Sequence, residues 1–262
     1  NSVIIYESTV YPGCTREICV PILESASGMK LNDSFFVGYS PERINPGDRT
    51  RGIRDITKLV SASTVDSTEF VKNLYSSIID AGVHQCSSIE IAEAAKVIEN
   101  AQRDINIAFV NELAMLLGKI EIPVFEVLRA ASTKWNFLQF EPGLVGGHCI
   151  GVDPYYLAHM AISNGFEPDL ILAGRKINDS MHEYIGYRVL ECLNVERNKN
   201  IDIDSRVIIF GATFKENCPD IRNSKSLALA DFLIASGINV NIHDPLASEN
   251  ELLSLDYEIF NG

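Results

Sequence analysis

The sequence predicts an α/β protein with doubly wound α/β segments toward both ends, joined through one long helix. Three observations carry that prediction. Apolar runs alternate with helix-like stretches from Val3 to Ser77. From Ser88 to Leu117 the chain holds neither proline nor glycine and repeats apolar residues at helical spacing. Between Val207 and His243 a β-α-β pattern returns.

Val3–Tyr6 reads as a buried strand, followed by a turn at Pro12-Gly13. Thr15 to Ser25 reads as a helix that Pro21 kinks or delays. Phe35–Tyr39 is a second strand, Asn45–Arg54 a polar loop, Leu59–Ser61 a short strand and Ser67–Ser77 a helix. Ser87 and Glu90 have capping-box form, with Ser87 as N-cap. In the helix that follows, Ile91, Ala94, Ala95, Ile98, Ala101, Ile105, Ala108, Phe109 and Leu113 form the apolar stripe, and Gly118 supplies the stop. Thirty residues of helix run roughly 45 Å, more than a small domain needs, so this helix bridges domains or packs on a second copy. Shorter helices are expected over Glu121–Ala131 and Pro154–Asn164, and a longer one over Leu170–Asn194 with a break near Asn178-Asp179. The polar stretch Asn194–Ser205 reads as a linker. Val207–Phe210, Ser226–Ser236 and Asn239–His243 make the final β-α-β unit.

The chain has 262 residues and a formal charge of −13. A field of that sign disfavours nucleic acid and anionic membranes as partners. No apolar run is long enough to span a bilayer. The six cysteines show no CxxC pair and no metal-ligand spacing, which suggests free thiols in a reducing cytoplasm.

Several residues are candidates for chemistry. Cys149 sits among Gly143, Gly146, Gly147 and Gly151, with Asp153 one turn on. It is either a small buried thiol beside a turn or a nucleophile presented on a loop. Lys96 and Asn100 share a helical face beside small residues, and together they can donate to an oxyanion; the alternative is a solvated face with Glu93 and Glu99. Thr9 and Glu42 each follow a strand, where α/β proteins collect ligands. After Val207–Phe210 only Gly211 of a GxGxxG fingerprint is present. Lys215 and Arg222 there read either as phosphate contacts or as a solvated basic loop, and Asp244 has the position of a ribose ligand.

Five segments, in chain order ESTVYPGCTRE, SPERINPGD, EAAKVIENAQRDINIAFVNELA, GGHCIGVDPYYL and GATFKENCPDIRNSKS, resemble the UDP-glucose/GDP-mannose dehydrogenase family. GVDPYYL, with KWNFLQFEPGLVGGHC before it, resembles the branch that oxidises UDP-N-acetylhexosamines. UDP-glucose or GDP-mannose as substrate, and a non-catalytic nucleotide-sugar-binding module, are the alternatives.

The resemblance implies two Rossmann-like domains joined by the long helix. Residues 1–86 would be the C-terminal part of an NAD-binding domain that is incomplete in this chain. Residues 87–194 would be a central helical domain that dimerises, and 195–262 the start of the UDP-sugar-binding domain. It implies a four-electron oxidation of C6 to a uronate for surface polysaccharide, with two NAD⁺ used in succession. It assigns Cys149 as the nucleophile, Lys96 and Asn100 to the oxyanion, and Asp153 to ordering water and supporting the lysine. Glu42 would be the base for hydrolysis, and Thr9 would hold water near the nicotinamide. Phe140, Gly143, Gly146, Phe214, Lys215 and, as a substitute for the arginine of relatives, Arg175 would contact the substrate. Ser8, Thr9 and Arg222 would contact NAD. The expected partners are a UDP-sugar and a second copy of the chain, in the cytoplasm.

Overall fold

The computed structural model describes residues 2–45, 47–48, 50–148, 150–193 and 206–260. The chain divides into two compact units, one of Asn1–Ala101 with Asp153–Pro168 and one of Gln102–Val152 with Asp169–Gly262. Cys149 and the expected linker at 194–205 lie outside the described residues.

The first unit is built on a four-stranded sheet in the order β1 (Ser2–Tyr6), β2 (Phe35–Tyr39), β3 (Lys58–Ala62), β4 (Val83–Gln85). β1 and β2 are parallel, β2 and β3 antiparallel, β3 and β4 parallel. β4 is too short and too polar to announce itself as a strand. Between β1 and β2, a π-helical turn over Thr15–Cys19 runs directly into α1 (Val20–Ser27). Pro21 is accommodated in the first turn of α1, where a missing N–H costs nothing. α2 (Val65–Ser76) begins two residues earlier than expected, because Thr64 caps it by accepting from the Ser67 N–H at 3.2 Å. The core of this unit gathers Val20, Phe35, Val37, Tyr39 and Leu59 with Ile89 and Ala92.

The long helix is α3, Ile89–Lys119, and it contributes to both units. Its cap is Ser88 rather than Ser87: the Ser88 hydroxyl accepts from the Ile91 N–H at 3.3 Å. Nor does Gly118 stop it. The helix runs through Gly118, which leaves room for the Tyr184 hydroxyl where a Cβ would lie 3.0 Å away. The stop is Glu121, in left-handed geometry, with the Ile122 N–H donating to the Leu117 carbonyl at 3.0 Å. The apolar stripe is buried only in part, at Ala101 and Ala108. Ile91, Ile98 and Phe109 are 50%, 53% and 55% exposed. The buried face instead carries Glu93, Lys96, Asn100, Asp104 and Asn111 among Ala92, Val97, Ala101 and Ala108.

α4 (Val124–Ala131) follows α3, and α5 (Asp153–Ser163) returns to the first unit. α6 (Asp169–Cys192) is continuous through Asn178-Asp179. The expected break does not form because both side chains find partners: Asn178 is buried and bonded to α3, and Asp179 pairs with Arg175 one turn earlier at 2.6 Å. In the second unit, β5 (Arg206–Phe210), α7 (Lys225–Ala235), β6 (Asn239–His243), α8 (Glu249–Ser254) and β7 (Glu258–Ile259) form an all-parallel sheet in the order β5-β6-β7. Ala230, Leu233, Ile242 and Leu252 centre its core, against which Ile185 and Val189 of α6 pack. Gly186 lets the Phe232 ring approach, since a Cβ there would meet the ring at 2.3 Å.

Candidate active site

In the first unit the candidate residues lie on two loops and two helices. β1 and β2 are parallel, so the loops after them leave the sheet at the same, carboxyl, edge. The loops are stitched together: the Ser40 N–H donates to the Tyr6 carbonyl at 3.0 Å and the Glu42 N–H to the Glu7 carbonyl at 3.2 Å. The buried Tyr39 hydroxyl donates to the Ser8 carbonyl at 3.1 Å and fixes the backbone that presents Ser8 and Thr9. From α3, Glu93 accepts from the N–H groups of Gly13 at 2.6 Å and Thr15 at 2.9 Å. It thereby anchors the end of the same loop.

One and two turns along the same face of α3 stand Lys96 and Asn100, both buried. Asn100 donates to the Asp153 carboxylate at 2.6 Å, and Asp153 opens α5 with only 2% of its surface exposed. Burial raises the Asp153 carboxyl above the usual aspartate range, partly offset by the Asn100 bond and the charge of Lys96. Among the described residues, no hydrogen bond or ion pair engages the Lys96 ammonium directly. The solvated-face alternative for Lys96 and Asn100 is therefore excluded; Glu99 alone turns outward, where it pairs with Arg43.

Glu42 holds the other end of the stitched loops. Its carboxylate accepts from the Arg43 and Ile44 N–H groups, both at 2.7 Å, and meets the buried Lys58 ammonium at 3.4 Å. Burial pushes the carboxyl up, but the Ile44 N–H, the Lys58 charge and the Arg43 N–H outweigh it. The net position is below the usual glutamate range.

In the second unit, the glycines before Cys149 are explained by close approach. A Cβ at Gly146 would meet the Asn223 carbonyl oxygen at 2.6 Å, and one at Gly147, whose φ is +81°, would meet the Phe214 ring at 2.4 Å. Further back, the Asn111 amide pairs with both backbone groups of Gly143, accepting from its N–H at 2.8 Å and donating to its carbonyl at 3.0 Å. Asn111 also donates to Asn178 at 2.9 Å, and Asn178 donates to the Asp104 carboxylate at 2.7 Å. Arg175 pairs with Asp104 and Asp179, both at 2.6 Å, and Lys225 reaches Asp179 at 2.9 Å. Two of the pairings of Arg175 are thus with protein carboxylates, one of them fully buried. Arg222 is exposed and forks onto Asp220, whose carboxyl it draws down to about 2. Lys215 and Phe140 are half-buried, and the Lys215 carbonyl accepts from the Thr213 hydroxyl at 3.0 Å. Asp244 accepts from the backbone N–H groups of Ala212, Thr213, Leu246 and Ala247, so it closes a loop with the groups a ribose ligand would use.

Sequence reasoning found Lys96, Asn100 and Asp153, which the structure brings together. It missed Glu93, Lys58, Asp104, Asn111 and Asn178. The signal for three of these was present as a polar stripe on α3 at helical spacing.

A mixed α/β sheet in the first unit, an all-parallel one in the second, a polar-faced helix and a glycine-lined loop define a Rossmann-like two-unit protein. Sequence models for all three domains of one family match it: the NAD binding domain at residues 1–79, the central domain at 90–180 and the UDP binding domain at 208–260. The chain belongs to the UDP-glucose/GDP-mannose dehydrogenase family. It is 53% identical over 96% of its length to Protein CapL of Staphylococcus aureus. It is 52% identical over 97% of its length to the UDP-N-acetyl-D-glucosamine 6-dehydrogenase of Pseudomonas aeruginosa. The chain spans 59% and 60% of those two relatives. Among solved structures, that of a UDP-D-ManNAc dehydrogenase from Pyrococcus horikoshii is similar with a TM-score of 0.82 and 28% identity, over 94% of this chain and 57% of that one. No helix among the described residues is long and apolar enough to cross a membrane.

Proposed function

We propose that the intact protein oxidises C6 of a UDP-N-acetylhexosamine to the uronate in the cytoplasm, for surface polysaccharide, with UDP-N-acetylglucosamine as the first substrate to test. The observation that carries this reading is Lys96: a buried lysine whose ammonium has no direct partner among the described residues, beside the bonded pair Asn100–Asp153. A buried cation in that state is matched to an oxygen that becomes negative during reaction. Similarity to a UDP-N-acetyl-D-glucosamine 6-dehydrogenase at 52% identity supports the sugar.

The balanced reaction is R–CH₂OH + 2 NAD⁺ + H₂O → R–COO⁻ + 2 NADH + 3 H⁺. Bound NAD⁺ supplies the hydride acceptor, and the family's NAD binding domain matches the segment that presents Ser8 and Thr9 at the carboxyl edge of β1 and β2. On this reading Lys96 and Asn100 donate to the C6 oxygen. Asp153 keeps Asn100 aimed by accepting its amide. Cys149, assigned by its motif, adds as thiolate to the aldehyde and holds the carbon as a thioester after the second oxidation. Water then adds to the thioester carbonyl, its proton passes to Glu42, and the C–S bond breaks to return the thiolate. Phe140, Gly143, Gly146, Phe214 and Lys215 hold the uridine diphosphate, and Arg222 contacts an NAD phosphate. Arg175, which also pairs with Asp104 and Asp179, is the substitute for the sugar-contacting arginine.

A homodimer along α3 is part of the proposal. The half-exposed Ile91, Ile98, Phe109 and Leu116 lie seven, eleven and seven residues apart on that helix and support it; light scattering on the full-length protein tests it. The test of the chemistry is Cys149→Ser in that protein. The fold survives, uronate formation falls by several orders of magnitude because serine is a far weaker nucleophile near neutral pH, and the wild type releases two NADH per sugar. Normal uronate production by the variant would sink the thioester route.

A further inference from the structure

Lys58 is the first residue of β3, and its side chain is only 4% exposed. A buried lysine needs counter-charges, and Lys58 has two. Glu42 lies at 3.4 Å and Glu7 at 3.6 Å, while the Tyr75 ring lies 5.2 Å below the ammonium. The Tyr75 hydroxyl donates to Glu7. β3 runs antiparallel to β2, so its first residue falls beside the chain that leaves β2, where Glu42 stands. Glu42 and Glu7 are about half exposed, unlike the lysine between them. One carboxylate oxygen of Glu42 is fixed by the Arg43 and Ile44 N–H groups, and the other faces Lys58. Among the described residues, the charged groups that face Glu42 are therefore Lys58 of β3 and Glu7 after β1, with the Tyr75 phenol of α2. The neighbouring Arg43 guanidinium is turned onto Glu99 of α3 and the Thr57 carbonyl.

We propose that Lys58 is a positioning residue for the hydrolysis step, a buried cation that holds the Glu42 carboxylate in its charged, proton-accepting form and shares its charge with Glu7. The proposal rests on the role given to Glu42 above. It accounts for a lysine buried at the edge of a sheet with two acidic neighbours, which sheet packing alone does not require. Glu7 is the counterweight: while it takes part of the Lys58 charge, Glu42 is held less tightly and keeps some basicity.

The experiment follows uronate formation by the full-length protein across pH 5–9, with intact-mass detection of the acyl-enzyme in quenched samples and a melting temperature for each variant. Lys58→Met moves the acid limb of turnover to higher pH and leaves acyl-enzyme accumulating below it, with KM for the UDP-sugar within twofold. Lys58→Arg restores the limb. Glu7→Gln, which leaves the lysine to Glu42 alone, moves the limb the other way. On a Glu42→Gln background Lys58→Met has no further effect. If Glu42→Gln accumulates acyl-enzyme but neither Lys58→Met nor Glu7→Gln moves the limb, the inference falls and the role of Glu42 stands. If Glu42→Gln turns over normally, the role of Glu42 itself falls. If Lys58→Met does not fold, Glu7→Gln and Lys58→Arg decide the question alone.

Discussion

The two halves of α3 bury polar residues to the same degree and use them in opposite ways. In its N-terminal half, Lys96 is buried without a direct partner among the described residues, and Asn100 and Asp153 form one short bond beside it. In its C-terminal half, Asp104 and Asn111 are enmeshed with Asn178, Arg175 and the Gly143 backbone through bonds of 2.6 to 3.0 Å. Burial costs a charged group free energy unless partners replace its water. The second half offsets most of that cost internally, with Asp104 Oδ2 left without a hydrogen bond among the described residues. The first half leaves the Lys96 ammonium without a direct partner there, and a donor so held is stability held back for a ligand.

That contrast predicts different failures. The largest effect belongs to the bonded half. Asp104→Ala takes from Arg175 its fully buried counter-charge and leaves the more exposed Asp179, and breaking a buried pair costs about 3–5 kcal/mol. At roughly 2–4 °C per kcal/mol for a domain of 150–250 residues, the melting temperature falls by about 10 °C. Asp104→Leu combined with Arg175→Met recovers most of the loss; failure to recover it would show that the network does more than balance charge. Next comes the unmatched half. Lys96→Met lowers turnover about a hundredfold, equivalent to about 3 kcal/mol of transition-state stabilisation, while its melting temperature stays level or rises. A Lys96→Met protein that melts as early as Asp104→Ala would erase the distinction between the halves.

The smallest effect is a pH dependence. The folded state holds the Asp153 proton more tightly than the unfolded chain does, because burial raises its carboxyl. Its contribution favours the fold at pH values below the ordinary aspartate range and is lost as pH rises through the raised value. Asp153→Asn removes this term, so the variant gains on the wild type as pH climbs over that window. The slope is at most about 1.4 kcal/mol per pH unit. Melting curves between pH 4 and 8 measure it, and parallel curves for the two proteins would show that Asp153 titrates as it does in water.

The strands were legible because β2 is an apolar run and β6 alternates polar and apolar residues, and both were read with their observed limits. α3 was legible as a helix, but not by face. Its exposed side carries Ile91, Ile98 and Phe109, so hydrophobic spacing pointed outward. The inward side is marked by Glu93, Lys96, Asn100, Asp104 and Asn111, three to seven residues apart. Their partners are far along the chain: Gly13 lies 80 residues from Glu93, Asp153 lies 53 from Asn100, and Arg175 lies 71 from Asp104. No local pattern shows that such residues are paired. The same distance explains Asn178-Asp179, which looks like a helix break until its partners on α3 and α7 are in place. Lys96, Asn100 and Asp153 were legible as neighbours through the quoted motifs, whereas Lys58 sits in an unremarkable strand whose neighbours only the sheet pairing supplies.

The Asp244 carboxylate has a consequence for how nucleotides can be read by the second unit. Four backbone N–H groups, from Ala212, Thr213, Leu246 and Ala247, converge on it. Converging amides after a β-strand are what a dinucleotide fold ordinarily offers to a pyrophosphate. Here the seat is already taken by a resident anion covalently part of the next strand's end. A pyrophosphate brought to that turn would meet a negative charge and four amides already bonded to it. The turn after β5 is a lock with its key built in, so a nucleotide bound at this turn would have to be recognised through side chains rather than through these four amides.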